Sequence, residues 1–249
     1  MIKENVCGRK DMEYREKYED AAIHKEAYLS GLESLIRKRE REAASVRSAR
    51  AEVILIEPET YRHELREMFG YPLCEEKTGL PPRAEIMHLS DEDGYTVYRL
   101  RLEIMDGLWM TGLYFRLNGE EKRPLAIVQH GGEGTPELIS GVYGFTNNYN
   151  DMLMRVLRQG VHVFAPQLLL WRSERYGVPY DRRLLDAKLK RVGSSITAVE
   201  VFGIMRVLDY FETFDDITCF GMVGLSYGGF YTQMVTALDT RIRSAVSCS

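Results

Sequence analysis

A serine at position 226 lies in the sequence GLSYG, residues 224–228, which has the pattern G-x-S-x-G. An apolar run at 219–223 precedes it and an amphipathic stretch at 227–238 follows, so Ser226 stands between a predicted strand and a predicted helix. A sharp turn at such a junction presents a serine hydroxyl above the end of a sheet, where it can attack a carbonyl carbon. The pattern predicts a nucleophile elbow. The alternative is a glycine-rich turn with a structural serine.

A second glycine-rich turn, QHGGEG at 129–134, follows the apolar run 125–129. Gly131 and Gly132 carry no Cβ atom, so their amides can approach a reacting carbonyl closely. The amide of Tyr227, at the start of the predicted helix, can do the same with the help of the helix dipole. These three residues are the predicted oxyanion-hole donors, although the sequence does not say which amide of the 131–132 turn faces the serine. A turn without this role is the alternative.

The pattern of apolar residues predicts strands that enter a sheet and then alternate with helices. Residues 84–89, 95–104 and 108–117 are expected to form antiparallel strands separated by turn residues. Alternation then predicts a parallel sheet covered by helices on both faces. Its expected strands are 125–129, 161–165, 218–223 and 243–248, and its expected helices are 150–158, 196–211 and 227–238. Asn150 is the expected N-cap of the first helix, and Ser194 or Ser195 that of the second.

The first 80 residues have a different composition. Residues 10–50 are rich in Glu, Lys, Arg and Ala and carry a loose apolar stripe, which predicts one or two helices. This segment either packs as an arm on the rest of the protein or forms a dimerisation helix, so a homo-oligomer is possible. A short helix is expected at 61–69, and GLPP at 79–82 marks a break. We expect a helical extension at 1–80 and an α/β core at 81–249.

Composition excludes several classes of protein. The 249 residues include 33 Lys and Arg against 37 Asp and Glu, a net charge of −4, which disfavours a nucleic-acid binder. No apolar run is long enough for a membrane span. The four cysteines lack metal-ligand spacing, so no metal site is expected. Free thiols in a cytoplasmic protein are the default expectation.

Residues 193–249, with GMVGLSYGGFYTQMVTALD at 221–239, and the turn at 128–134 resemble the α/β-hydrolase superfamily. The similarity is greatest to dienelactone hydrolase-like, acetyl xylan esterase-like and prolyl oligopeptidase-related hydrolases, and covers about residues 84–249. It implies an eight-stranded, mostly parallel, doubly wound sheet and a Ser-His-Asp triad. Ser226 matches the nucleophile, and Tyr227 with the Gly131–Gly132 turn matches the oxyanion donors. The implied substrate is a small-molecule ester, lactone or short peptide, and no cofactor is implied.

The sequence departs from this pattern after the serine. The triad of the family runs in the order Ser, acid, His, but the residues after Ser226 contain one acid, Asp239, and no histidine. Asp239 is expected about 20 Å away along the helix, where it caps a turn. His130 is expected to hold its turn rather than act as the base. We therefore expect the acid, the histidine and the last strands beyond residue 249, and little hydrolase activity in this chain. A non-catalytic binding or scaffold protein is the alternative.

Two further features follow the predicted strand 161–165. Trp171 could line a substrate pocket or anchor a loop on the core. The basic run at 182–191 is either a solvated surface or a binding site for an acidic substrate.

Overall fold

The computed structural model describes residues 13–146, 148–170 and 178–248; Trp171 lies outside them. The chain forms two compact units, one ending at Pro58 and the other beginning at Glu59. The predicted division after residue 80 stays a prediction.

The first unit contains one long helix, α1 (Tyr18–Ile54), where one or two helices were expected. The apolar side chains of its central part are exposed, among them Tyr28, Leu29 and Leu35. Homo-oligomer formation through this helix stays a prediction. No helix in the described ranges is long and apolar enough to cross a membrane.

The helix α2 (Pro58–Phe69) lies in the second unit from Glu59 onward, and its Leu65 and Phe69 pack against the main apolar core. A seven-stranded sheet follows, in the spatial order β1-β2-β3-β5-β4-β6-β7. The pairings β1–β2, β2–β3 and β3–β5 are antiparallel, and β5, β4, β6 and β7 are parallel to one another. The strands are β1 (Ala84–Glu92), β2 (Tyr95–Met105), β3 (Leu108–Leu117), β4 (Arg123–Gln129), β5 (His162–Pro166), β6 (Ile217–Leu225) and β7 (Ile242–Cys248).

Helices cover both faces of the sheet, as predicted. On one face, α6 (Ile196–Phe211) and α7 (Tyr227–Leu238) pack against the larger apolar cluster, which includes Leu100, Ile127 and Phe164. On the other face, α3 (Pro136–Ser140) and α4 (Met152–Leu157) pack against a second cluster. Alternate residues of one strand enter different clusters because successive side chains of a strand point to opposite faces. The predicted α/β class is confirmed.

The path of the chain places a crevice between β4 and β6. The connection after β4 runs through α3 and α4 on one face, whereas the connection after β6 runs through α7 on the other. Adjacent parallel strands whose connections leave to opposite faces open a crevice at their carboxyl ends, where ligands bind in open α/β sheets. Gln129 ends β4 and Leu225 ends β6, so both glycine-rich turns lie at this crevice.

Helix caps and apolar periodicity explain where the predicted and observed helix bounds agree or differ. Both α6 and α7 have the predicted bounds, and the Ser195 side chain caps α6 by accepting the Ala198 N–H at 3.0 Å. The prediction that Asn150 caps α4 is wrong, because the N-cap is Asp151 in a left-handed conformation with φ 54°. The helix α5 (Arg182–Lys190) was missed, since its charged residues hide its periodicity.

Candidate active site

Ser226 adopts the strained turn that a nucleophile elbow requires. Its φ of 56° and ψ of −120° lie where a residue with a Cβ atom is rarely found. The Ser226 N–H donates to the Cys248 carbonyl at 2.5 Å, and the Ser226 carbonyl accepts the Phe230 N–H at 3.1 Å. These bonds tie the turn to β7 and to α7. The residue is exposed, and its hydroxyl has no hydrogen-bond partner among the described residues.

Two glycines of the motif permit the close packing around Ser226. A Cβ atom on Gly224 would lie 2.0 Å from the Gly228 carbonyl oxygen, and one on Gly228 would lie 2.3 Å from the Gln129 carbonyl oxygen. Contacts this short are impossible, so α7 can start directly above β6 and against β4 only with glycine at both positions. The G-x-S-x-G spacing therefore fixes how the helix, both strands and the serine meet.

The turn after β4 lies beside the serine. A Cβ atom on Gly131 would lie 3.0 Å from the Leu225 carbonyl oxygen and 3.4 Å from the Ser226 Cβ. The Gly134 N–H closes the turn by donating to the Gly131 carbonyl at 3.0 Å, and Gly132 is half-buried within it. The structure thus brings the predicted Gly131–Gly132 turn against the elbow.

The Gly131 N–H donates to the Tyr149 hydroxyl at 3.0 Å. The same hydroxyl would lie 3.4 Å from a Cβ on Gly131, so Tyr149 and Ser226 flank one glycine. Sequence reasoning missed Tyr149 because it lies in an irregular segment before α4, with no motif to mark it.

His130 holds the turn in place. Its ring is fully buried; the protonated Nδ1 donates to the Gly131 carbonyl at 2.9 Å, and Nε2 accepts the Leu168 N–H at 3.1 Å. Burial lowers the pKa of His130 to about 4. Both ring nitrogens are occupied in the neutral form, so His130 positions the turn as predicted, and acting as a base would break its bond to Leu168.

Tyr227 is the first residue of α7. The N–H groups of the first turn of a helix point out of its N-terminus, where the helix dipole favours negative charge. The Tyr227 amide directly follows the nucleophile and lies at this positive end, so the geometry suits it to stabilise an oxyanion formed at Ser226.

A buried polar cluster is centred on Glu200. Glu200 accepts the Leu169 N–H at 2.7 Å and the Tyr231 hydroxyl, and Arg182 lies 3.5 Å from the same carboxylate. Arg182 also donates to the Tyr231 hydroxyl at 3.2 Å and to the Leu169 carbonyl at 2.5 Å. Burial raises the pKa of Glu200 to about 7. The cluster links α5, α6, α7 and the segment after β5, and no local sequence pattern predicts it.

An open pocket of about 640 Å³ lies in front of Ser226. Its walls come from α5, from the start of α6 and from the first turn of α7. Its described lining consists of Arg182, Arg183, Asp186, Thr197, Ser226, Tyr227 and Phe230. The pocket has the size expected for a small-molecule site.

Other candidate residues lie away from the serine. Asp239 follows α7, where its carboxylate accepts the Arg241 N–H at 3.0 Å, so it caps a turn as expected. His162 is the first residue of β5, at the opposite end of the sheet from the crevice, and its Nδ1 accepts the Leu117 N–H at 3.1 Å. Within the described ranges, no group of three or more His, Cys, Asp and Glu residues could hold a metal ion.

Comparison with solved structures finds esterases. A protein from Bacteroides fragilis NCTC 9343, provisionally assigned as an acetyl xylan esterase, has a TM-score of 0.64 at 18% identity; the match covers 76% of this chain and 51% of that one. Acetyl xylan esterase 1 from Thermoanaerobacterium sp. JW/SL YS485 has a TM-score of 0.52 at 18% identity, covering 77% and 57%. Methylesterase BT1017 has a TM-score of 0.58 at 20% identity, covering 79% and 41%.

The chain thus spans about half the length of these structures. No family model and no curated protein matched the sequence. The TM-scores show that the chain shares the fold of these esterases. The chain has the α/β-hydrolase fold.

Proposed function

We propose that this chain carries the nucleophile and the oxyanion site of a carboxylic ester hydrolase. The strained backbone of Ser226 carries the proposal, because a non-glycine residue at φ 56° next to a pocket is the geometry of a nucleophile elbow. Lactones and short peptides contain the same reactive carbonyl group. The names of the structural neighbours, two acetyl xylan esterases and a methylesterase, favour esters.

The proposed reaction has two steps. The Ser226 Oγ attacks the ester carbonyl carbon, loses its proton to solvent water, and forms a tetrahedral intermediate. The Tyr227 N–H and an N–H of the Gly131–Gly132 turn stabilise its oxyanion, and the leaving alkoxide takes up the proton as the carbon–oxygen bond breaks. Water then attacks the acyl-Ser226 carbonyl, which releases the carboxylic acid and restores the serine.

The base is the incomplete part of the site. Among the described residues of the second unit, His63 and His88 lie on α2 and β1, His130 is bonded at both ring nitrogens, and His162 lies at the far end of β5. We therefore propose that both the acylation of Ser226 and the release of the acyl group are slow in this chain, since oxyanion stabilisation without a base leaves only residual catalysis.

Acylation by 4-nitrophenyl acetate tests this proposal without requiring turnover. Intact mass and peptide mapping would give the acylation rate of Ser226 and, in the same sample, of the exposed Ser45. Because oxyanion donors contribute about 100-fold or more, Ser226 should react at least about 100 times faster than Ser45. The Ser226→Ala variant should lose this fast site alone. Equal rates at both serines would contradict the proposal and favour a non-catalytic binding or scaffold protein.

A further inference from the structure

The pocket at Ser226 has an unequal distribution of charge. On the α5 side it is lined by two guanidinium groups, Arg182 and Arg183, and by one carboxylate, Asp186. The Asp186 carboxylate is already engaged, since it lies 2.7 Å from the Lys190 ammonium and accepts the Ile196 N–H at 3.0 Å. The α7 side is lined by Tyr227 and Phe230. The pocket therefore has an apolar wall and a cationic wall.

The two arginines differ in their partners. Arg182 is largely buried and is held by Glu200, Tyr231 and the Leu169 carbonyl. Arg183 is exposed and makes no hydrogen bond or ion pair with any described residue. Its guanidinium thus keeps its donors available at the mouth of the pocket.

The position of the arginines does not serve the stability of the helix. Both lie in the first turn of α5, whose N-cap is Asp181. The helix dipole disfavours cations at this end and favours anions, so Arg183 raises the positive potential that a ligand meets there, whereas the charge of Arg182 is balanced by Glu200. A break of a local preference beside a candidate nucleophile points to ligand binding.

We propose that this wall binds an anionic group of the substrate, so that the preferred ester carries a second, negatively charged carboxylate or phosphate group away from the scissile bond. This inference rests on the proposed function, because it takes the pocket at Ser226 as the substrate site. The planar fork of a guanidinium forms two parallel hydrogen bonds with either anion. Arg183 makes the contact, and Arg182 is held behind it by Glu200.

The test measures binding of amides, which resemble the esters but resist hydrolysis. N-Ethylsuccinamate carries a carboxylate, and N-ethylbutanamide is its uncharged counterpart. A third amide, with a phosphonate in place of the carboxylate, shows which of the two anions binds more tightly. By calorimetric or NMR titration, the carboxylate or the phosphonate amide should bind at least about tenfold more tightly than the neutral amide. Arg183→Gln should remove about tenfold of this preference. Arg191→Gln, at the C-cap of the same helix and outside the pocket lining, should retain it.

Equal binding of the charged and neutral amides, or an unchanged preference in Arg183→Gln, would overturn the anion site. Neither result depends on the reactivity of Ser226. Failure of the anion site is thus separate from failure of the proposed function, which the acylation of Ser226 decides.

Discussion

Protonation of His130 on acidification should remove a stabilising contribution from the folded protein. Burial lowers the pKa of this ring from 6.5 to about 4, so the folded state binds the proton less readily than the unfolded state. The stabilisation from the neutral ring is complete above the unfolded pKa of about 6.5 and is lost as the pH falls through about 4. A shift of this size corresponds to roughly 3 kcal/mol at its limit, and roughly 2 kcal/mol of it should be lost by pH 5.

The structure gives the physical reason. Protonation would place a proton on Nε2, which accepts the Leu168 N–H, and would put a charge in a fully buried site. The turn at Gly131 and the segment after β5 should loosen together, since His130 links them.

Urea unfolding at pH 7.5 and pH 5 measures the effect against two variants. The free energy of unfolding of the wild type should fall by roughly 2 kcal/mol more than that of His130→Asn, whose residue 130 does not titrate. Other groups, including Glu200, titrate equally in both proteins, so their contributions cancel in the difference between the wild type and His130→Asn. His63→Asn, changed at an exposed position on α2, should follow the wild type. Equal pH dependence in the wild type and His130→Asn, or an NMR titration of the His130 ring near pH 6.5, would refute the reasoning.

Four further changes test the neighbourhood of the elbow, each by urea unfolding. Gly224→Ala should destabilise by about 3 kcal/mol or more, because its Cβ would lie 2.0 Å from a carbonyl oxygen; a loss below about 1 kcal/mol would contradict the packing. Ser226→Gly should stabilise by about 1 kcal/mol because it relieves the positive φ, whereas a loss would show that the turn is unstrained. Gln129→Met should be neutral or stabilising, because the buried Gln129 amide has no partner among the described residues; a loss of about 2 kcal/mol would reveal one. The pKa of Glu200 is raised to about 7, so the stabilisation from its protonated form is complete below about pH 4.5 and is lost as the pH rises through 7. The free energy of unfolding of the wild type should therefore fall by roughly 2 kcal/mol between pH 5 and pH 8, and Glu200→Gln should abolish this fall. An unchanged fall in the variant would show that another group titrates.

The local sequence pattern was sufficient to predict the helices and the turn that position Ser226. The bounds of α6 and α7 follow from their continuous apolar periodicity, and the G-x-S-x-G spacing follows from the close approach of backbone at Gly224 and Gly228. The holding role of His130 could also be predicted, because the HGG turn resembles the oxyanion loop of esterases.

The remaining parts depend on contacts between residues far apart in the chain. Tyr149 reaches Gly131 through the fold of the segment before α4, and Glu200 meets Arg182 and Tyr231 only when three helices assemble. A single sequence carries no local signal for such contacts. The charged residues of α5 suggested a solvated surface or an acidic-substrate site, and only the fold places Arg183 at the pocket.

The central claim is that the turn at Ser226 creates a reactive serine. Labelling the intact chain with a fluorophosphonate, followed by intact mass and peptide mapping, tests it most directly. A single adduct on Ser226, absent in Ser226→Ala and slowed by N-ethylsuccinamate in the pocket, is the predicted result. Adducts distributed over exposed serines such as Ser45, with Ser226 no faster than these, would contradict it.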